Sequence, residues 1–154
     1  MNEELTCFKA YDVRGELGPE FNNETCYQIA RAFAQVIGKN KVVVGWDARE
    51  TSPDLSKSVI QGLIDEGATV INMGLAGTEE MYWGTTYFEA CGGIEVTASH
   101  NPINFNGLKM VKSASQPFDP ISDFMMIKQI AEKNDFKGIK LGGQEFDKSK
   151  ELKK

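Results

Sequence analysis

The residues best equipped for chemistry fall in four short polar segments: Tyr11-Asp12-Val13-Arg14-Gly15, Asp47-Ala48-Arg49-Glu50-Thr51, Thr97-Ala98-Ser99-His100-Asn101-Pro102 and Asn106-Gly107-Leu108-Lys109. Arginine offers a rigid fork that matches phosphate oxygens, and lysine a mobile point charge. A serine hydroxyl among such cations can carry or attack a phosphoryl group. The chemistry open to these types is phosphoryl transfer: if the strands before Asp47 and Thr97 are neighbours, Arg49 is brought towards Ser99, and Arg14 and Lys109 could complete a local positive pocket in a chain of net charge −5. Each residue also has a plain structural reading. Asp12 and Asp47 are ordinary turn residues, Asn101-Pro102 is a common turn dipeptide, and Ser99 alone fits a turn. Arg14 and Arg49 fit solvated or ion-paired surface charges, and Lys109 the charge that guards an edge strand. His100, the sole histidine, fits structural hydrogen bonding as well as catalysis.

Other chemistries lack their equipment. Ser99 does not sit in G-x-S-x-G, so a hydrolase nucleophile elbow is disfavoured. Ser99 and His100 are adjacent and would point apart in an extended chain, which argues against a Ser-His base pair. Neither G-x-x-x-x-G-K-[ST] nor G-x-G-x-x-G occurs, and no His/Cys set or Asp-x-Asp-x-Asp run provides a zinc or complete magnesium site. The acidic balance gives no basis for binding nucleic acid. No apolar run approaches membrane-helix length, so no membrane partner is expected, and the acidic start Met1-Asn2-Glu3-Glu4-Leu5 has no secretion-signal core. Cys7, Cys26 and Cys91, without a C-x-x-C pair, read as reduced thiols packed in the core of a cytoplasmic protein.

The elements that would position these residues alternate along the chain. Cys26, Ile29, Ala30, Phe33 and Ile37 place a helix over 24–37, with Gly38 as its stop. Residues 41–46 read as a buried strand, and Thr51-Ser52-Pro53-Asp54 as a helix start with a hydroxyl cap and proline in the first turn. Leu55, Val59, Ile60, Leu63 and Ile64 continue that helix to Gly67, and 68–73 is the next strand. This β-α-β unit predicts a parallel pair with a right-handed crossover. A further helix begins at Thr78 and ends near Cys91. Strands over 93–97 and 107–112 are joined by a short loop, so they are expected to be antiparallel. Asp119-Pro120 is expected to cap a last helix with Ile121, Phe124, Met125, Ile127 and Ile130 inward. Lysine-rich residues 137–154 read as a linker or loose tail after a domain spanning 1–136. The expected class is α/β: a three-layer α/β/α fold with a mixed, mainly parallel sheet. In such sheets ligands favour the loops at the carboxyl ends of strands, where Ser99 and Arg49 would meet if strands 41–46 and 93–97 are neighbours.

Taken together, the motifs resemble the α-D-phosphohexomutase superfamily, in particular its bacterial phosphomannomutase/phosphoglucomutase branch. "FKAYDVRG" at 8–15 resembles the family's N-terminal signature, "TASHNP" at 97–102 its phosphoserine loop and "NGLKM" at 106–110 its Asn-Gly-x-Lys segment. "GWDARETSP" at 45–53 and "GTEEMYW" at 77–83 also fit, so the resemblance covers about residues 5–135. It implies a reversible mutase in which Ser99 carries phosphate and exchanges it with mannose 6-phosphate or mannose 1-phosphate through a bisphosphorylated sugar. It assigns Ser99, His100, Lys109 and Arg14 to the phosphoryl site, and Tyr11, Arg14, Asn101 and Arg49 to the substrate. Mg2+ would bind through the phosphate on Ser99.

The family's complete enzyme has four domains, and this chain resembles the first. The family's Asp-Gly-Asp-x-Asp-Arg metal loop, Gly-Glu-x-Ser-Gly-His sugar loop and Arg-x-Ser-x-Thr-Glu-Pro phosphate clamp do not occur in it. The expected partners are thus a hexose phosphate and domains 2–4 of the same enzyme, with Mg2+ held jointly with a second domain and at most trace activity from this chain alone. Two alternatives stay open at this point: a glucose-directed mutase, and a non-catalytic domain that binds a phospho-ligand or partner on the same fold.

Overall fold

Val42, Val43 and Val44 alternate between two apolar layers, and that alternation sets the architecture. Val42 and Val44 pack with Ile29, Leu63 and Ile127 in the larger core, whereas Val43 joins Ile71, Met73 and Met81 in a smaller one. A strand buried on both faces belongs inside a sheet covered by helices on both sides. The structure, a computed structural model that describes residues 4–10 and 12–150, contains that sheet. Its elements are β1 (Val13–Glu16), α1 (Asn23–Val36), β2 (Val42–Trp46), α2 (Ser52–Asp65), β3 (Thr69–Leu75), α3 (Thr78–Tyr87), β4 (Gly92–Val96), β5 (Phe105–Lys112), α4 (Asp123–Lys133) and β6 (Gln144–Asp147).

The strand order is β1-β5-β4-β2-β3-β6. Strands β4, β2, β3 and β6 run parallel, while β5 is antiparallel to both β4 and β1. Ile29 of α1, Leu55 and Leu63 of α2 and Ile127 of α4 fill the larger core, and Met81 of α3 fills the other. This is the three-layer α/β/α arrangement with a mixed, mainly parallel sheet that the sequence predicts. The parallel β2–β3 pair and the antiparallel β4–β5 pair are also as predicted.

Several local expectations differ from the structure, among them the end of α3, which falls at Tyr87 rather than near Cys91. Thr51 precedes α2 but makes no capping bond; its hydroxyl instead accepts from Asn106 Nδ2 at 2.9 Å. Helix α4 starts only at Asp123, because Asp119 closes a turn by accepting from the Ile121 N–H at 2.9 Å. Its inward residues are Phe124, Ile127 and Ala131, while Ile121 is 87% exposed and Met125 is 40% exposed. β1 has no sequence expectation, and only four residues form it. The segment after 136, read as a loose tail, places β6 beside β3 as an edge strand held by backbone pairing, with all four of its side chains exposed.

Cys7 and Cys26 are buried free thiols and Cys91 is half-buried. Burial pushes the Cys7 thiol up to about 12, so it is a packing residue rather than a nucleophile.

Candidate functional site: the serine loop at the end of β4

β4 lies in the middle of the sheet and delivers the chain into the loop that carries Ser99. Thr97 N still donates to the Gly107 carbonyl at 2.9 Å, so the two ends of the loop leave the sheet side by side. The loop folds on its own polar groups. Ser99 N donates to Thr97 Oγ1 at 3.1 Å. The Ala98 carbonyl accepts from the Asn101 N–H at 3.0 Å and from Asn101 Nδ2 at 2.7 Å. Ser99 and His100 occupy the exposed corner of that turn. Ser99 has φ +53°, a left-handed conformation that costs a non-glycine residue on the order of 1 kcal/mol. The hydroxyl is therefore held out of the core at the end of a rigid central strand, as the sequence predicts.

The sheet register places two cations at the same end. Arg14 of β1 lies opposite Gly107 of β5, and Lys109 of β5 lies opposite Glu95 of β4. Residues 107 and 109 share a face because strand side chains alternate, so Arg14 and Lys109 both belong to the face covered by α3. Arg14 is 40% exposed along its side chain, with Nε 3.3 Å from Asp12 Oδ1. Lys109 is half-buried and borders a concavity of about 330 Å³ together with Asp12, Tyr82 and Phe118. Tyr11 lies outside the described residues. Asn101 is half-buried, and its amide nitrogen is turned into the loop.

Arg49 reaches Ser99, as expected from adjacent β2 and β4, but through the backbone. Its Nη1 donates to the carbonyls of Pro102 at 2.8 Å and Phe105 at 2.9 Å. Its Nη2 donates to the carbonyls of Ser99 at 3.0 Å and of Asn101. Behind it, Asp47 Oδ1 accepts from the Arg49 N–H at 3.0 Å and from the Ser52 hydroxyl at 2.5 Å. Asn106, fully buried, donates from Nδ2 to Ser52 Oγ at 3.0 Å.

The sequence assigns no role to Glu95, yet it is the most unusual polar group of the site. It is fully buried, and neither carboxyl oxygen has a hydrogen-bond partner. Gly45 on β2 makes room for it, since a Cβ there would lie 2.8 Å from Oε1. Burial, with Asp47 and Glu80 nearby, pushes the Glu95 carboxyl up to about 9, so it is a neutral acid at pH 7. A lone acid inside Gly92-Gly-Ile-Glu-Val was the available signal. Among the described residues no group of three or more His, Cys, Asp or Glu side chains could hold a metal ion. A magnesium shell of six oxygens would take at most its first members from a phosphate on Ser99.

The arrangement is that of a three-layer α/β/α domain with an exposed serine on the loop leaving a central strand and an arginine and a lysine on one face of the adjoining strands. The family model for phosphoglucomutase/phosphomannomutase, alpha/beta/alpha domain I, matches residues 5–138. The chain belongs to the phosphoglucomutase/phosphomannomutase family. It is 47% identical over 133 residues to a Klebsiella pneumoniae phosphomannomutase, covering 86% of this chain and 85% of that protein. It is 46% identical over 146 residues to the Vibrio cholerae phosphomannomutase, covering 92% of this chain but only 32% of that one. A crystal structure of a family member from Burkholderia thailandensis superposes with a TM-score of 0.80 at 28% identity, over 99% of this chain and 35% of that chain. The chain thus spans about a third of the length of the latter two.

Proposed function

We propose that this chain is the phosphoserine-bearing first domain of a phosphomannomutase that interconverts mannose 6-phosphate and mannose 1-phosphate in the cytoplasm. The observation that carries the reading is Ser99 itself, exposed at a fixed turn where β4 ends, with Arg14 and Lys109 on one face of the adjoining strands. The phosphoryl group moves from Ser99 Oγ to a sugar hydroxyl: the Ser–O–P bond breaks, the sugar–O–P bond forms, and the hydroxyl proton passes to a nearby base. Return of the other phosphate from the bisphosphorylated sugar restores Ser99. A phosphoserine brings a charge of roughly −1.5 to −2, which Arg14 and Lys109 balance. Transfer of this kind is mostly positioning and electrostatic stabilisation, which a rigid strand end supplies. Lys109, opposite Glu95 in the sheet, adds a positive charge that stabilises the transferring phosphoryl group. His100 adds a donor at the same exposed corner. Mg2+, when bound by the serine phosphate and a second domain, supplies charge neutralisation. The sugar contacts of Tyr11 and Asn101, and domains 2–4 of the same enzyme, complete the reading.

Intact-mass spectrometry of the freshly expressed chain, with the site mapped by fragmentation, tests it. One phosphate on Ser99, absent from Ser99→Ala, together with loss of mutase turnover in the complete enzyme bearing Ser99→Ala, supports the carrier role. Sugar phosphate binding by a chain whose Ser99 never acquires phosphate points instead to a non-catalytic phospho-ligand domain.

A further inference from the structure

We propose that Arg49 is a positioning residue: its guanidinium gathers the carbonyls of the serine loop and fixes where the phosphoryl-carrying hydroxyl stands, without touching the sugar phosphate. The proposal rests on the carrier role of Ser99 and deepens it. Four carbonyls, those of Ser99, Asn101, Pro102 and Phe105, converge on the two terminal nitrogens of Arg49. Those of Ser99, Asn101 and Pro102 lie in the loop outside the strand ladder, and that of Phe105 stands at the first residue of β5; carbonyls without a ladder need another donor. The planar guanidinium, with five N–H donors in a fixed fork, matches such a converging set, whereas a lysine ammonium has three donors and no plane.

The clamp is itself held. Asp47 accepts from the Arg49 backbone N–H, and its second oxygen lies 3.8 Å from Nε. The same Asp47 accepts from Ser52, and Ser52 with Thr51 accepts from Asn106, where the loop rejoins the sheet. The segment Asp47–Ser52 therefore grips the loop in its middle and at its far end. One of the gripped carbonyls belongs to Ser99, whose φ of +53° needs support to persist. The Arg49 side chain is only 16% exposed, which leaves its nitrogens little surface for a phosphate.

The test compares Arg49→Lys and Arg49→Ala in two settings. In the 154-residue chain, amide hydrogen exchange across residues 99–105 is expected to quicken in both variants, with the rest of the sheet still protected. In the complete mutase carrying this domain, kcat is expected to fall about 100-fold with KM nearly unchanged, the cost of misplacing a reacting group by about 1 Å. Free guanidinium is expected to restore part of kcat to Arg49→Ala and none to Arg49→Lys. A rise in KM at unchanged kcat would show Arg49 binding substrate and overturn the proposal. So would loop exchange identical to wild type, in the lysine variant if the alanine variant fails to fold. A wild-type enzyme that never carries phosphate on Ser99 removes the mutase reading and the positioning role with it, while quickened exchange in that case records the clamp as architecture alone.

Discussion

At the scale of single residues, Ser99 combines two properties with separate consequences: a hydroxyl able to accept phosphate, and a backbone in the left-handed region at φ +53°. Glycine adopts that region without a Cβ penalty. Ser99→Gly is therefore expected to stabilise the chain by about 0.5–1 kcal/mol, whereas Ser99→Ala, which keeps the Cβ, leaves stability within about 0.5 kcal/mol. Urea denaturation of the three proteins checks this, and equal midpoints for the two variants would mean that the turn stores no strain. Ser99 was legible as a polar residue on the loop leaving an apolar strand, and Arg14 and Lys109 as cations in short polar segments. Glu95 was not, although it is fully buried opposite Lys109. Under simple alternation a lone acid in an apolar strand looks like a solvent-facing residue, and the layer that buries it, α3, comes from elsewhere in the chain. Arg49 was legible as a neighbour of Ser99, but not as a donor to carbonyls, since backbone acceptors leave no mark in the sequence.

At the scale of elements, the site depends on how closely β1 and β5 approach. Gly107 lies opposite Arg14, and a Cβ at 107 would overlap the carbonyl oxygen of Val13. The obstacle is backbone, so no side-chain rotation relieves it. Gly107→Ala is expected to push β1 off β5, cost about 2–3 kcal/mol and carry Arg14 away from the serine loop. Thermal melting would record the first effect and a loss of Ser99 phosphorylation the second; an unchanged melting temperature would mean that the two strands accommodate the added Cβ without separating. Helices α1 and α2 were readable to within a residue or two because their apolar faces pack on the larger core. β1 and β6 were not, for a physical reason. Each has four residues, and β6 buries no side chain, so it is attached by a backbone ladder and an exposed hydrogen bond from Asn72 Nδ2 to Glu145 Oε2 at 2.8 Å, neither of which leaves an apolar pattern. The start of α4 was misplaced because Asp119 works as a turn residue, and the chain needs three more residues before Phe124 can meet Phe8 and Phe118.

At the scale of the whole molecule, two buried carboxyls on different faces pull stability in opposite directions with pH. Burial alone would raise Glu66, but hydrogen bonds from Lys140 at 2.6 Å, Gln35 at 3.1 Å and Arg31 at 2.8 Å hold it below its ordinary value. Its contribution is present above the unfolded carboxylate range and is lost as pH falls. Because Lys140 belongs to the segment leading to β6, acid is also expected to loosen that edge strand. Glu95 behaves in the reverse sense. Its carboxyl rises from an ordinary 4.5 to about 9, through burial first and then the charges of Asp47 and Glu80. The folded state therefore holds a proton that the unfolded chain releases. Stability from this group is complete below pH 4.5 and is lost as pH climbs towards 9, by up to about 1.4 kcal/mol per pH unit. The two effects together place maximum stability in mildly acidic solution. Replacing Glu95 by Gln keeps the shape and removes the proton release, so Glu95→Gln is expected to match wild type near pH 5 and exceed it by several kcal/mol at pH 8. Urea denaturation at those two values decides the matter: parallel losses in both proteins would mean that Glu95 finds a cation in the folded chain, Lys109 across the strand being the nearest by register.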